Sequence, residues 1–328
     1  MKSKSIILGL LVITMACKQE KRGETEKQAE VMNPSPVFVA DSAYAFVQKQ
    51  VDFGPRVPNT AAHSACGDYL VASLTRFGWQ VQEQLFEMEA YTGEKLALRN
   101  IIASINPEEK KRILLAAHWD TRPFADKDAE RQKEPIDGAN DGGSGVGVLL
   151  EIARVLGAEK PEVGVDIILF DGEDYGEAMF DAGNAPYTNT SWYCLGSQYW
   201  SKNKHKAGYS AYYGILLDMV GAKDALFYQE GNSLEYAPSI VYKVWETASA
   251  IGYDHHFVNR KTYGITDDHY FVNTIGKIPM IDIIEYDPLN PESYFPDYHH
   301  THKDNMDIIS RETLKAVGQT VIQTVVNE

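Results

Sequence analysis

The chain has 328 residues, 44% of them hydrophobic, and a formal net charge of −15 at pH 7. That apolar fraction suffices for a large buried core, arranged as one large α/β domain or two small ones. The acidic balance, with no Lys/Arg block to offset it, excludes nucleic-acid binding through a basic footprint; acidity alone selects no other partner.

Lys2 and Lys4 precede an apolar run over residues 6–16 that ends at Cys17. The run is too short to span a bilayer, which takes about 20 apolar residues, and residues 1–16 have the form of a signal peptide. Thr14-Met15-Ala16-Cys17 resembles a bacterial lipobox, with a small residue before the cysteine and an atypical Thr three positions before it. Cys17 is the expected lipidation site, with ordinary signal cleavage nearby as the alternative. The chain is therefore expected to be an exported bacterial lipoprotein, periplasmic and held at the outer membrane by its lipid alone. Residues 17–36 are polar, charged and proline-punctuated, which predicts a flexible tether. Residues 37–328 remain as the body of the chain. Within it Cys66 and Cys194 either pair or stand as separate buried thiols, and two cysteines so far apart define no framework.

Residues 40–49 and 61–77 read as helices, separated by the Gly- and Pro-containing loop 53–59. Residues 112–117, 165–170, 213–217 and 278–284 are short apolar runs without polar alternation, the pattern of strands buried on both faces. Helical patterns at 144–156 and 239–251 lie between them. This alternation predicts an α/β fold with a largely parallel sheet and helices on both faces. Such sheets bind ligands beyond the carboxyl ends of their strands. His118, Asp120, Asp171, Glu173, Asp174 and Asp218 all fall at those ends.

Asp141 stands in Asn140-Asp141-Gly142-Gly143-Ser144-Gly145 before a helix. Glycines there allow backbone to approach a metal or substrate; a phosphate loop is excluded because no Lys-Ser/Thr follows. A plain helix N-cap is the other role open to Asp141. Asp171-Gly172-Glu173-Asp174 sets adjacent carboxylates at a strand end, so that one can bind metal while its neighbour handles protons. Alone, this motif would be a solvated acidic turn. His300-Thr301-His302-Lys303-Asp304 follows an aromatic, proline-rich segment, and one histidine there would complete three protein ligands with a coordination position left open. His205, His255 and His256 lack such context and are expected to be surface or packing residues.

His118-Trp119-Asp120, Asp141-Gly142-Gly143-Ser144-Gly145, Asp171-Gly172-Glu173-Asp174, Leu217-Asp218 and His300-Thr301 occur in the order that resembles zinc aminopeptidases of the M28 type. Phe53-Gly54-Pro55-Arg56-Val57-Pro58-Asn59-Thr60, Leu216-Leu217-Asp218-Met219-Val220-Gly221-Ala222 and Thr266-Asp267-Asp268-His269 make the chain most similar to the bacterial glutaminyl-peptide cyclotransferases of animal type. The resemblance implies one domain with a mixed, mostly parallel twisted sheet between helices. It implies one zinc per chain held by Asp141, Asp174 and His300, with Glu173 as proton shuttle and Asp218 and Asp267 as supporting acids. Trp192 would help to wall the substrate pocket, beside an insertion over residues 175–190. His118, with Asp120, would sit near the metal without binding a second one.

This sequence departs from the animal pattern at Asp174 (glutamate there), Asp282 (histidine) and His299 (tryptophan), the last two expected at the pocket wall. The implied reaction converts an N-terminal glutamine of peptides and proteins to pyroglutamate and releases ammonia. A two-zinc aminopeptidase using His118, Asp141, Asp174, Asp218 and His300 is the alternative, and a non-catalytic peptide-binding lipoprotein a more distant one. A monomer is expected, although nothing in the sequence fixes the oligomeric state.

Overall fold

The computed structural model describes residues 33–186, 191–290 and 293–328. The signal peptide, Cys17 and most of the expected tether lie outside these residues. Asn33–Glu328 forms one compact unit. Residues 33–36, expected to be tether, are docked: Gln323 Nε2 donates to Asn33 O (2.8 Å) and Gln319 Nε2 to Pro36 O (3.0 Å).

Two helices open the body, α1 (Ala40–Val51) and α2 (Ala61–Arg76). An antiparallel hairpin follows, β1 (Gln80–Glu89) and β2 (Lys95–Ile105). The chain then alternates through β3 (Arg112–His118), α3 (Gly143–Ala158), β4 (Gly164–Phe170), α4 (Leu195–Lys202) and β5 (Tyr213–Asp218). It continues through β6 (Phe227–Gln229), α5 (Gly231–Tyr236), α6 (Pro238–Ala250), β7 (Phe257–Lys261), α7 (Asp268–Thr274), β8 (Met280–Ile284) and α8 (Arg311–Val326).

The main sheet has six strands in the order β1-β2-β4-β3-β5-β8, and a second sheet pairs β6 with β7. β3, β4, β5 and β8 run parallel, while β1 and β2 are antiparallel, so the sheet is mixed and mostly parallel as expected. Every residue of these four parallel strands is buried, because helices cover both faces. Alternate side chains divide between two cores. Ile113, Leu115, Ile167 and Ile215 pack under α1, α2, α3, α6 and α8; Leu114, Ala116, Ile168 and Leu216 pack against Trp200 of α4 and Val272 of α7. The two cysteines are buried and unpaired.

The hairpin was not legible as strands. β1 is an edge strand of Gln and Glu with mostly exposed side chains, so its pattern carries little apolar signal. Charge on an edge strand also discourages pairing with another chain.

Candidate active site

The parallel strands end together: His118 of β3 lies opposite Phe170 of β4, and Asp218 of β5 opposite Ile284 of β8. His118 Nε2 lies 3.0 Å from Asp141 Oδ1 and 3.2 Å from Asp218 Oδ1. Asp141 is not a helix cap, since Gly142 occupies that position and makes no side-chain bond. Its loop is fixed from two sides. The fully buried Arg56 donates to the carbonyls of Asp137 and Gly138, and the Asp304 carboxylate accepts from the amides of Asn140 (2.7 Å) and Asp141 (3.0 Å). Gly142 has φ +80°, and a Cβ there would overlap the Asp120 carbonyl; one at Gly145 would overlap that of Leu217. These glycines therefore serve close packing of α3 on the strand ends rather than approach to a ligand.

The 171–174 turn divides its carboxylates. Asp171 points inward, accepting from Arg99 N (2.6 Å) and contacting His63 Nε2 at 2.9 Å. Both oxygens of Asp120 are used on the backbone, accepting from the amides of Glu173 (3.0 Å) and Asp174 (3.1 Å). Glu173 is thereby aimed into the pocket, where Cys194 Sγ donates to its Oε1 at 3.1 Å. Burial pushes the Glu173 carboxyl well above its ordinary range, and the charge of Asp174 adds to the shift. A nearby cation would act in the opposite sense.

His300, held at φ +60°, places Nε2 3.2 Å from Asp174 Oδ1 and 3.7 Å from Asp141 Oδ2. Its Nδ1 lies 3.6 Å from Asp126 Oδ1. Asp126 is gripped in turn by Arg122, at 2.6 and 3.0 Å, and Arg122 also donates to Asp174 O. The Asp174 Oδ2 atom is buried without any hydrogen-bond partner. An orphaned carboxylate oxygen beside a second carboxylate and an imidazole nitrogen fits a zinc ion, which takes such N and O donors. Asp126 then stands where a carboxylate orients a metal-binding histidine.

The same neighbourhood offers other groupings of donor atoms, two of which share Asp141. Donor atoms of Asp141, His299 and His300 lie within 4.8 Å of one another, and so do those of His118, Asp141 and Asp218. The ring of His299 is 3.7 Å from that of His300 between centroids, and its Nδ1 pairs with Lys127 Nζ.

A cavity of ≈ 270 Å³ opens over this cluster, lined among others by Glu173, Tyr193, Asp218, Asp267, Phe295 and His299. Two expected wall residues lie elsewhere. Trp192 is outside the lining, with its indole N–H donating to Pro186 O, and its neighbour Tyr193 faces the cavity instead. Asp282 is fully buried within β8, 3.6 Å from His269 Nδ1, below Asp267 rather than on the wall. Asp218 is pushed up to about 7 by burial, and the charges of Asp141 and Asp267 contribute. Arg56, Arg122, Asp126, Cys194 and Asp304 were missed by sequence reasoning. Arg56 and Asp304 stand in motifs the sequence shows, but each of the five acts through a contact with a residue distant in sequence, and motif spacing does not reveal that contact.

One acid behind the site yields a pH prediction. Burial pushes Glu285 from 4.5 up to about 7, although the hydroxyl of Tyr298 and the Asn140 amide donate to it. The folded protein then holds this proton more tightly than the unfolded chain, so stability falls as pH rises between these values. Relative to wild type, Glu285→Gln should gain stability as pH rises from 4.5 to about 7, by up to ~1.4 kcal/mol per pH unit, read from thermal denaturation across that range. Parallel stability curves for the two proteins would disprove it.

An acid-rich, metal-fitting pocket at the carboxyl edge of a helix-flanked, mostly parallel sheet defines a metal-dependent α/β enzyme. Residues 100–325 match Peptidase family M28, and the chain belongs to that family. A Zn-dependent exopeptidase from Parabacteroides distasonis is 54% identical, covering 90% of this chain and 100% of its own, at TM-score 0.87. A glutaminyl cyclase from Bacteroides thetaiotaomicron, solved with N-acetylhistamine, is 53% identical with the same coverage, at TM-score 0.85. A Drosophila melanogaster glutaminyl-peptide cyclotransferase is 30% identical over 181 residues, 53% of this chain and 47% of the fly protein. The matched stretch thus spans about half the length of that curated relative.

Proposed function

We propose that the chain is a glutaminyl-peptide cyclotransferase, converting an N-terminal glutamine to pyroglutamate with release of ammonia. The observation that carries this reading is Glu173: a desolvated carboxylate faces a substrate-sized cavity beside the metal-fitting cluster, with Asp218 and Asp267 on the same wall. The glutaminyl cyclase similarity over 90% of the chain supports it.

Asp141, Asp174 and His300 would hold one zinc, with Asp126 orienting His300 and Asp120 fixing the turn that carries Asp174. Bound there, zinc supplies Lewis acidity to the γ-carboxamide of the substrate. The cavity walls orient the terminal glutamine so that its own α-amine reaches the γ-carbon. Ring closure is then an intramolecular step that needs no external nucleophile. Glu173 accepts a proton from the α-ammonium and passes it to the departing nitrogen, then takes the second proton that the ring nitrogen sheds as the C–N bond breaks and ammonia leaves. Asp218 and Asp267 support the charge changes at Glu173 from behind, and the Cys194 thiol holds that carboxylate in place.

The second reading is an aminopeptidase, favoured by the His118–Asp141–Asp218 grouping, which could hold another cation. One assay separates the two. Ammonia and free amino acid are followed on the same Gln-initiated peptide, and amino-acid release without ammonia would sink the cyclase reading.

Outside the body, we propose that residues 1–16 direct export and are removed. Cys17 would carry a lipid and residues 17–36, of which 33–36 are docked on the body, would tether the catalytic domain, 37–328, outside the cytoplasm, at the outer membrane, as a monomer. Among the described residues no helix is long and apolar enough to cross a membrane. A Cys17→Ser variant is expected in the soluble fraction; its retention on membranes would remove the lipid from the account.

A further inference from the structure

Away from the catalytic pocket, the turn after α6 and the first turn of α8 meet around a second cavity, of ≈ 290 Å³. His255, His256 and Glu312 line it and contribute nothing to the catalytic pocket. Adjacent side chains point to opposite sides of an extended chain, but residues 253–256 form a turn, and the two imidazole rings lie 4.5 Å apart between centroids.

His256 is preset as a ligand. It is 4% exposed, and its Nδ1 lies 2.8 Å from the carbonyl of Ala225. A carbonyl can only accept, so Nδ1 carries the proton and Nε2 keeps its lone pair. Nε2 is buried without any hydrogen-bond partner. This pattern, one ring nitrogen fixed by a carbonyl and the other left free, is that of histidines which bind metals. His255 Nε2 and Glu312 Oε1 stand 3.8 Å apart on side chains that are 53% and 75% exposed. One donor atom from each of the three residues lies within 4.8 Å of the others.

We propose that His255, His256 and Glu312 form a second metal site, for a borderline divalent cation such as Zn²⁺, with its remaining position open to water. Two imidazoles and a carboxylate are donors such ions prefer. Zinc bonds of about 2.0–2.2 Å set neighbouring donors roughly 3.3–3.5 Å apart. Reaching that from the present geometry needs small rotations of the two exposed arms, while His256 stays fixed. The surrounding charge favours a cation, since Asp224, Asp307 and Glu312 face the cavity against the single ammonium of Lys223. A bound ion would clip the turn after α6 to the start of α8, and so stabilise the fold independently of catalysis.

The test titrates Zn²⁺ into enzyme already loaded at its catalytic centre, in competition with a chromophoric chelator. Wild type should bind one further zinc in the micromolar range and gain in Tm. His255→Ala and Glu312→Gln, both at exposed side chains, should each weaken that zinc by about tenfold or more, with glutamine-peptide turnover unchanged. No further zinc in wild type, or a further zinc bound equally well by His255→Ala, overturns the proposal. A further zinc lost instead on Asp218→Asn would belong to the catalytic pocket and would overturn the single-zinc reading as well.

Discussion

Glu173→Gln should lose turnover by about 10²–10⁴-fold while keeping its zinc. The substitution is nearly isosteric, and the interactions that shape the turn run through backbone: Asp120 accepts from the amides of Glu173 and Asp174, and Cys194 N donates to the Glu173 carbonyl. None of these needs the carboxylate. Asp174 and its neighbours are therefore undisturbed, and metal content measured by mass spectrometry should match wild type. What disappears is the carboxylate proposed to take the α-ammonium proton. Because burial raises the Glu173 carboxyl, the acid limb of the pH–rate profile should vanish with it. Full activity in the variant would remove Glu173 from the mechanism.

Stripping the metal with a strong chelator should abolish activity and lower Tm, both restored by added zinc. Asp141 and Asp174 are almost fully buried, and the charge of Asp141 raises the Asp174 carboxyl after burial itself. Removing a compensating cation leaves two crowded carboxylates and an orphaned oxygen. With free zinc about 1,000 times above Kd, the stabilisation lost is on the order of 4 kcal/mol, roughly 6 °C in a domain of this size. Retained activity after complete removal would defeat the metal assignment outright; loss of activity without loss of stability would place the ion elsewhere.

The four parallel strands were legible in the sequence because helices cover both of their faces, leaving largely apolar runs such as 165–170, broken only by Asp166. β1 was not, since only one of its faces is covered and its Gln/Glu side chains resemble a loop. The reactive residues at strand ends could be read because position after a buried strand is a local property. Arg122, Asp126 and Asp304 could not, because their roles exist only once segments far apart in sequence meet. Trp192 and Tyr193 show the finest limit. A family pattern brought the expectation to within one residue, but adjacent side chains leave a tight segment in different directions, and only the fold decides which faces the cavity.

The bond from Asp304 to the amides of Asn140 and Asp141 has a consequence for the history of the site. His300 stands in the same short loop as Asp304, so this strut couples Asp141 directly to His300. Between residues 142 and 299 only a few positions, such as Gly221 and Glu285, also hold the Asn140 loop. Loops there that carry no such tie can lengthen, shorten or be replaced while Asp141 and His300 stay in register. The cavity's walls can thus drift toward new peptides without dismantling its chemistry.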